Sequence, residues 1–499
     1  MTKTTELKSR LAEITDLHRA AGVLSWDHET YMPPGGLGTR AEQLSTLEKL
    51  AHELFTREEI GALIETATAE CAPDSDDAVI VRLAKRDYDK ARKLPTALVA
   101  RLARETALAH DVWVQARRES NFAKFAPSLQ TIVALTIEKA DALGHNGCRY
   151  DALLDNYEQG MKTAAVRDIF TQLKAATVPL IQAISERLEA VDDSPLRRDY
   201  DEARQLALGE SVARQFGFDF TRGRQDKSVH PFCAGFSPGD VRITTRVGRN
   251  ELAMALMGTM HETGHALYEQ GLPVEFDRTP LCNSTSLGVH ESQSRMWENL
   301  VGRSRAFWRY FFPQLRAAFP ETITDADSSE TFYRAVNKVM PSLIRVEADE
   351  LTYNFHILLR FELEDDLLEG RLAVADLPAA WNAKMQTYLG INPPTDALGV
   401  LQDIHWSGGS IGYFPTYTLG NLIGAQLAET ILVALPDLDA QFERGEFGPL
   451  LDWLRTNIHR HGRRYEPAAL VERVTGRPIS AEAFVRYAKQ KFGELYGLN

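Results

Sequence analysis

The segment His261-Glu262-Thr263-Gly264-His265 constrains this 499-residue chain more than any other part of it. On an α-helix, side chains four residues apart lie on one face, so the imidazoles of His261 and His265 can reach a single ion. Glu262 points about 100° away around the helix axis and can flank that ion instead of binding it. The motif lies in an apolar stretch, and polar groups buried there need partners. It therefore predicts a buried metal-binding helix over Leu252–Gln270.

Neutral imidazoles suit Zn²⁺, and a catalytic zinc site keeps one position open for a water molecule. Zinc makes such a water acidic enough to react near pH 7, and a carboxylate at Glu262 can take its proton. Co²⁺ and Mn²⁺ accept the same ligands, so the residues alone do not choose among these metals. A metzincin would have glycine and histidine where this chain has Tyr268 and Gly271, which excludes that class.

A third ligand must come from another part of the chain. The nearest candidates are His290 and Glu291, and Glu291 lies 26 residues after His265, far enough for a loop and a returning helix. Adjacent helical residues point about 100° apart, so these two cannot both bind one ion. Spacing leaves the choice between them open. Two histidines and a glutamate form a standard catalytic zinc set, which favours Glu291.

Polar side chains also interrupt a helix predicted over Pro341–Leu368. Arg345, Asp349, Thr352 and His356 follow one another at steps of three or four residues, which places them on one helical stripe. A solvated helix face would explain this pattern as well. The functional interpretation is a helix that lines a groove, with an arginine able to fork onto a carboxylate.

Two more segments concentrate polar and aromatic groups. His405 precedes a glycine-rich loop, and Tyr413 and Tyr417 follow it four residues apart. A tyrosine hydroxyl beside a zinc site can donate to the oxyanion of a tetrahedral intermediate. The second of these segments contains His230 and Arg242 and is otherwise irregular. Taken singly, each of these residues fits a structural role as well as a functional one.

Most of the chain shows helical periodicity, and its apolar spacing predicts helices over Thr39–Glu70, Ala78–Arg92, Pro95–Ala123, Leu129–Leu143 and Thr163–Val191. Residues 216–249 differ, because they are rich in Gly, Pro, Thr and Phe, and Val241–Arg246 alternates with the period of a strand. No repeat and no polar linker marks a domain boundary. The sequence predicts a mainly all-α, single large helical domain with a small β element near residues 216–249.

Charge and cysteine content exclude several classes of protein. The net charge of −13 argues against nucleic acid or an anionic membrane as the main partner, because both favour a basic surface. No stretch of 18 apolar residues occurs, and the N-terminal segment lacks the apolar core of a secretory signal. The four scattered cysteines form no CxxC pair, which fits a reducing compartment. We expect a cytoplasmic protein.

Taken together, six ordered motifs resemble those of the carboxypeptidase Taq family of metallocarboxypeptidases. They are HPF, DxRxT, HExxH, HES/GQ, IRxxAD and GxxQDxHW, at His230–Phe232, Asp240–Thr244, His261–His265, His290–Gln293, Ile344–Asp349 and Gly399–Trp406. Trp26–Pro33 is similar to that family's WDxxTxMP start. Asp155–Met161 is similar to its YEPGM segment, with Gln159 where proline is common. The resemblance covers almost the whole chain.

The resemblance implies a zinc-dependent carboxypeptidase that removes C-terminal residues from peptides. It implies one divalent ion bound by His261, His265 and Glu291, with Glu262 as general base and acid. It also implies a homodimer and a nearly all-helical fold with a deep groove. In that picture residues 1–215 form one groove wall, residues 216–430 carry the metal and substrate site, and residues 431–499 form C-terminal helices.

Substrate contacts follow from the same resemblance. Arg345 is the candidate for the free carboxylate of the peptide, and the other candidate substrate-binding residues are His230, Arg242, His405 and Asp349. Tyr413 or Tyr417 is the candidate oxyanion donor.

Three alternatives remain open. A metallo-endopeptidase would cut internal bonds of end-blocked peptides as fast as those of unblocked ones. An aminopeptidase is less consistent, because the chain has no GxMEN-type motif to bind a free amine. A non-catalytic scaffold with structural zinc would bind peptides without cutting them, although the full set of His261, Glu262, His265 and Glu291 argues against it.

Overall fold

The computed structural model describes residues 2–498. Within this range nine α-helices precede the sheet: α1 (Lys3–Thr30), α2 (Leu37–Phe55), α3 (Glu58–Glu70), α4 (Asp76–Arg92), α5 (Thr96–Glu119), α6 (Phe122–Leu143), α7 (Arg149–Leu154), α8 (Thr163–Ser185) and α9 (Glu202–Phe216). Side-chain caps begin several of them. The hydroxyl of Thr2 accepts from the Thr5 amide at α1, and that of Ser75 accepts from the Ala78 amide at α4.

The predicted β element is confirmed as a three-stranded sheet of β1 (Gly223–Lys227), β2 (Cys233–Ser237) and β3 (Asp240–Thr245). The strand order is β1-β3-β2, with β1 parallel and β2 antiparallel to β3. Register pairs Ala234 with Arg242 and Gly235 with Val241. This order places β2 at an edge of the sheet, next to the helix that follows the sheet in the chain.

Eleven more helices follow the sheet in the described range: α10 (Leu252–Gln270), α11 (Leu287–Arg295), α12 (Arg305–Ala318), α13 (Ser329–Val336), α14 (Tyr353–Leu368), α15 (Leu377–Leu389), α16 (Pro415–Ala434), α17 (Leu438–Glu443), α18 (Gly448–Asn457), α19 (Pro467–Thr475) and α20 (Glu482–Tyr496). A π-helical turn, Met296–Val301, extends α11. Among the described residues, none of the helices combines the length and the apolar character that a membrane span requires. The mainly helical, single-domain prediction is confirmed.

One hydrophobic core joins most of these elements, from Ala109 on α5 to Tyr496 on α20. A second, smaller cluster is formed by α1, α3 and α4, where Leu7 and Leu11 pack among apolar side chains of the other two helices. Leu281, from the segment between α10 and α11, completes this small cluster. The N-terminal helices thus pack as a layer against the segment that follows the HExxH helix.

The prediction of a helix over Pro341–Leu368 is wrong for the first half of this segment. Residues Arg345–Glu347 form a 3₁₀ turn, and α14 begins only at Tyr353. The Asp349 carboxylate accepts from the amides of Leu351 and Thr352, which lie in the turn before α14. This turn interrupts the predicted helix, so Arg345 and Asp349 do not share a stripe with the residues of α14.

A partly buried ion pair attaches the segment before α9 to the loop after α12. Arg198 donates two hydrogen bonds to Asp327, at 2.6 and 2.9 Å, and the Thr324 amide donates a third. The Asp327 side chain is only 4% exposed. The hydrogen bonds from Arg198 are the main cause that lowers the pKa of Asp327 to about 2. The charged form is therefore favoured in the folded state.

We expect Asp327→Asn to lower the free energy of unfolding by about 2 kcal/mol at pH 7. Because the pKa of Asp327 is lower in the folded protein, its charged form stabilises the fold at pH values above the unfolded-state pKa, and this effect is lost as the pH falls. The difference in stability between wild type and variant should therefore shrink between about pH 4 and pH 2. Urea midpoints at several pH values measure it. Asp325→Asn, an exposed position in the same loop, is the control. A deficit that is constant across this pH range would contradict the assignment.

Candidate metal centre

Two helices bring the three predicted ligands together. Helix α10 carries His261 and His265, and α11, which packs against it, carries Glu291. Gly264 permits this packing, because a Cβ at that position would lie 2.6 Å from the carbonyl oxygen of Gln293. Gly420 on α16 permits a second close approach, because a Cβ at that position would lie 2.5 Å from Glu291 Cγ. Two close approaches, each of which requires glycine, therefore fix the position of the glutamate.

The donor atoms of the three residues converge on one point. Glu291 Oε2 lies 3.4 Å from His265 Nε2 and 3.8 Å from His261 Nε2. All three donor atoms lie within 4.8 Å of one another. Donors at about 2.0–2.2 Å from a tetrahedral ion are separated by roughly 3.3–3.6 Å, which is close to these distances.

The far nitrogen of each imidazole is held by an acceptor. His261 Nδ1 lies 2.8 Å from Glu298 Oε2, and His265 Nδ1 lies 3.1 Å from the His290 carbonyl oxygen. Because a carboxylate and a carbonyl accept hydrogen bonds, each Nδ1 carries the proton and each Nε2 keeps its lone pair. Metal-binding histidines in proteins are oriented in this way.

Arg295 links the two carboxylates of this centre. Its Nε donates to Glu291 Oε1 at 2.7 Å, and its Nη1 donates to Glu298 Oε2 at 3.1 Å. Although burial opposes it, the charge of Arg295 lowers the pKa of Glu291 well below its usual range. In the same way, Arg295 outweighs burial and lowers the pKa of Glu298 to about 2. Both carboxylates are therefore charged at neutral pH.

These groups fit a divalent cation. Burial lowers the pKa of His265 to about 3, so its imidazole is neutral. For His261, burial is outweighed by the charge of Glu291 and by the hydrogen bond with Glu298, and its pKa is raised. Two imidazole nitrogens and one carboxylate oxygen form the donor set of many catalytic zinc sites.

Glu262 lies beside this centre. Its side chain is buried, and burial raises its pKa to about 7. Its carboxylate forms no hydrogen bond with any other residue in the described range. A carboxyl group with a pKa near neutrality is suited to take up and release a proton.

Glu298→Gln should weaken metal binding by about 10- to 100-fold, the usual cost of altering a residue that orients a ligand. Glutamine can accept the His261 proton but removes the charge that pairs with Arg295. Competition with a chelator, followed by elemental analysis, measures the affinity. Glu330→Gln, an exposed carboxylate paired with Arg305, is the matched control. An unchanged affinity would show that Glu298 does not orient His261.

The predicted oxyanion donors lie close to Glu291. Tyr413 and Tyr417 have ring centroids 5.2 Å apart. Burial, and after it the charge of Glu291, raises the pKa of Tyr413, so its hydroxyl keeps its proton. His405 Nε2 lies 3.3 Å from the Tyr417 hydroxyl, and burial lowers the pKa of His405 to about 3. These side chains therefore extend the centre with neutral hydrogen-bonding groups.

Arg345 lies on the same side, with its guanidinium 5.0 Å from the ring centroid of Tyr417. It donates to Asp403 at 2.8 and 3.1 Å and to the Tyr353 hydroxyl at 3.0 Å. Asp403 also accepts from Arg360 at 2.7 Å. Two guanidinium groups thus share one carboxylate, which leaves an excess positive charge among these three buried side chains.

The other predicted substrate residues are less closely tied to the centre. His230 is exposed, and its side chain forms no hydrogen bond with another described residue. Arg242 forms two hydrogen bonds with Asp240, and its guanidinium lies 4.4 Å from the ring of Trp26 on α1.

The guanidinium of Arg242 thereby attaches α1 to the sheet. The substrate roles of Arg242 and Asp349 stay predictions. The Asp349 carboxylate also accepts from the Met340 amide and the Thr352 hydroxyl, so both of its oxygens accept hydrogen bonds within its own loop.

Several residues of the centre were not found from the sequence. Glu298 lies seven residues after Glu291, about two helical turns, which would place both on one face. Glu269 lies four residues after His265 and pairs with His290, 2.8 Å from its Nε2. The His290 ring stacks on His265 at 4.4 Å. Helical spacing from the predicted ligands was therefore the available signal.

Comparison with known proteins gives the same family throughout. The model of the carboxypeptidase Taq (M32) metallopeptidase family matches residues 6–492. "Thermostable carboxypeptidase 1" of Thermus thermophilus is 44% identical, with 97% of each chain covered, and "Carboxypeptidase 1" of Bacillus subtilis is 37% identical, with 97% of each covered. The crystal structure of the M32 carboxypeptidase from Deinococcus radiodurans R1 is 42% identical, has a TM-score of 0.95 and is matched over 99% of both chains. The chain therefore belongs to the carboxypeptidase Taq (M32) family of metallopeptidases, enzymes whose reaction is metal-dependent hydrolysis at the C-terminus of peptides.

Proposed function

We propose that this protein is a zinc-dependent carboxypeptidase in which His261, His265 and Glu291 bind one ion and Glu262 is the general base and acid. The observation that carries the proposal is the convergence of two Nε2 atoms and one carboxylate oxygen beside a buried, unpaired glutamate. When bound, a divalent ion polarises a carbonyl group and acidifies water. Co²⁺ or Mn²⁺ would fit the same ligands.

Glu262 moves the proton in this proposal. Its carboxylate accepts a proton from the attacking water and then delivers it to the nitrogen of the leaving amino acid. Because burial raises the pKa of Glu262 to about 7, both transfers are accessible near neutral pH. The absence of a hydrogen-bond partner among the described residues leaves the carboxylate free to turn between the two positions.

Tyr413 and Tyr417 are proposed to donate hydrogen bonds to the oxyanion that forms on the scissile carbonyl. Donors fixed before the reaction stabilise such a charge without further reorganisation. His405 accepts from or donates to the Tyr417 hydroxyl and so orients it, while Arg345 below the ring of Tyr417 adds a positive charge. Their position beside Glu291 supports this role.

Arg345 is proposed to bind the free C-terminal carboxylate of the peptide. A buried carboxylate needs a partner, and the excess positive charge of Arg345, Arg360 and Asp403 would supply it. His230, exposed and unpaired in the described structure, is the candidate for a further substrate contact. Arg242 and Asp349 stay in the proposed substrate set, although Arg242 pairs with Asp240 and the Asp349 carboxylate accepts hydrogen bonds within its own loop.

The test compares a peptide with a free C-terminus and the same peptide with a C-terminal amide. We expect the free peptide to lose single residues from its C-terminus and the amide to be cut at least about 100-fold more slowly, with mass spectrometry as the readout. A chelator should stop the reaction and added Zn²⁺ should restore it. Equal cutting of internal bonds in both peptides would indicate an endopeptidase. Binding without cleavage by the metal-loaded protein would indicate a scaffold.

We also propose a cytoplasmic homodimer organised as the family resemblance implies. Residues 1–215 would form one wall of the groove, residues 216–430 the site, and residues 431–499 the C-terminal helices. Cys71, Cys148, Cys233 and Cys282 are free thiols, which supports a reducing compartment. Light scattering at several protein concentrations would test the dimer.

A further inference from the structure

Glu364 on α14 is a fully buried carboxylate that the proposed mechanism does not use. Its two oxygens accept three hydrogen bonds. Oε1 accepts from the indole Nε1 of Trp406 at 2.8 Å. Oε2 accepts from the Tyr150 hydroxyl at 2.8 Å and from the Gly412 amide at 3.0 Å. A carboxylate at this depth is costly without such donors, so its place in the core calls for a reason.

Two of these donors belong to the chain segment that carries side chains of the candidate site. Trp406 directly follows His405, which pairs with a proposed oxyanion donor. Gly412 directly precedes Tyr413, which is itself a proposed donor. Glu364 therefore binds the immediate neighbour of each of these two site residues.

The stretch between these two contacts is held mainly by its own turns. In the described structure, the main chain of residues 407–411 forms hydrogen bonds only within residues 404–411. The stretch includes Gly408 and Gly409, and Gly409 has a φ of 69°. Glycine has more conformational freedom to lose on folding than any other residue. The contacts at the two ends, from Trp406 and Gly412, therefore connect this stretch to α14.

Helix α14 is a firm support for these contacts, because 14 of its 16 residues are buried. Arg360 lies four residues before Glu364, on the same helix face. It donates to Asp403 at 2.7 Å and so holds the chain just before the segment. The ring of Trp406 also packs edge-on against Trp381, with centroids 5.9 Å apart. One face of α14 thus binds the segment before His405, after it and before Tyr413.

We propose that Glu364 is a positioning residue for the reaction, which acts through Trp406 and Gly412. It fixes His405 and Tyr413 in the orientation that the oxyanion requires. Donors fixed before the reaction stabilise such a charge best, and a displacement of about 1 Å can cost about 10²-fold in rate. This inference rests on the proposed carboxypeptidase function and adds the group that holds its oxyanion donors.

The first test replaces Glu364 with glutamine. An amide side chain has one acceptor oxygen and one donor NH₂ group, so no single orientation accepts from both Trp406 and Gly412. We expect Glu364→Gln to lower kcat by about 10- to 100-fold, because the segment shifts. KM should change by less than about threefold, and zinc content should be unchanged. A folded variant that keeps kcat, or one that changes KM alone, would overturn the proposal.

Two further variants separate positioning from general stability, and they decide the matter if Glu364→Gln does not fold. Trp406→Phe and Tyr150→Phe each remove one donor to Glu364 and keep an aromatic ring, but only Trp406 adjoins a site residue. We expect Trp406→Phe to lower kcat about tenfold and the matched control Tyr150→Phe to stay within about twofold of wild type. Thermal unfolding measures the stability of both. Equal losses of kcat in the two variants would overturn the proposal.

A double-mutant cycle tests whether Glu364 acts through the site residues. Glu364→Gln is combined with Tyr413→Phe and, separately, with His405→Gln. If Glu364 acts by positioning them, in at least one pair kcat should fall by less than the product of the two single effects. Effects that multiply in full in both pairs would overturn the proposal. A wild-type enzyme that does not shorten a peptide from its C-terminus would instead overturn the proposed function.

Discussion

Glu262→Gln should lower kcat by about 10²- to 10⁴-fold, the usual contribution of a positioned general acid–base group. Glutamine has nearly the same shape as glutamate but cannot accept a proton. Because Glu262 is no predicted ligand and has no hydrogen-bond partner in the described structure, its replacement should leave the site assembled. Single-turnover cleavage of a free peptide, with elemental analysis of the same sample, measures both effects.

The control for this variant is Glu251→Gln, at the exposed start of the same helix, α10. It should retain full activity. Metal content and the temperature of unfolding should be unchanged in both variants. Retained hydrolysis in Glu262→Gln with a full complement of metal would remove Glu262 from the chemistry.

Glu291→Gln should abolish stoichiometric metal binding. It removes one of three predicted donors and leaves Arg295 with a single carboxylate partner, so the loss of affinity should exceed the 10- to 100-fold typical of supporting residues. Activity should fall with occupancy and recover in part at high metal concentration. Isothermal calorimetry with Zn²⁺, on protein whose circular dichroism shows an intact fold, measures the binding.

His290→Gln is the matched comparison, because spacing alone could not decide between His290 and Glu291 as the third ligand. In the structure His290 Nε2 pairs with Glu269, and its ring stacks on His265. Its replacement should therefore weaken metal binding less than Glu291→Gln does. The reverse order of the two variants would assign the third ligand to His290.

The sequence predicted helix α10 well because its signals are local. Spacing within α10 determines that His261 and His265 share a face, and the glutamate of the third-ligand segment follows from donor chemistry. The β element at residues 223–245 followed from period-two alternation and turn-forming residues. These features depend on neighbours along the chain, which a sequence displays directly.

The features that were missed depend on contacts between distant residues. Nothing local to Arg345 shows that Asp403 will accept two of its hydrogen bonds, 58 residues away. The helix prediction before Tyr353 was wrong because Asp349 was taken as part of a polar stripe, whereas its carboxylate accepts from the amides of Leu351 and Thr352 in the turn before the helix. The contact of Arg242 with Trp26 on α1 likewise has no signature in the sequence.

Anomalous diffraction above and below the zinc absorption edge, from crystals of the zinc-loaded protein, tests the proposed metal centre. We expect one peak per chain, about 2.0–2.2 Å from His261 Nε2, His265 Nε2 and Glu291 Oε2. The group formed by Cys148, Asp365 and Glu369 should be empty, because Asp365 is already paired with arginines. A peak at that second group alone, or Glu291 turned away from the two histidines, would contradict it.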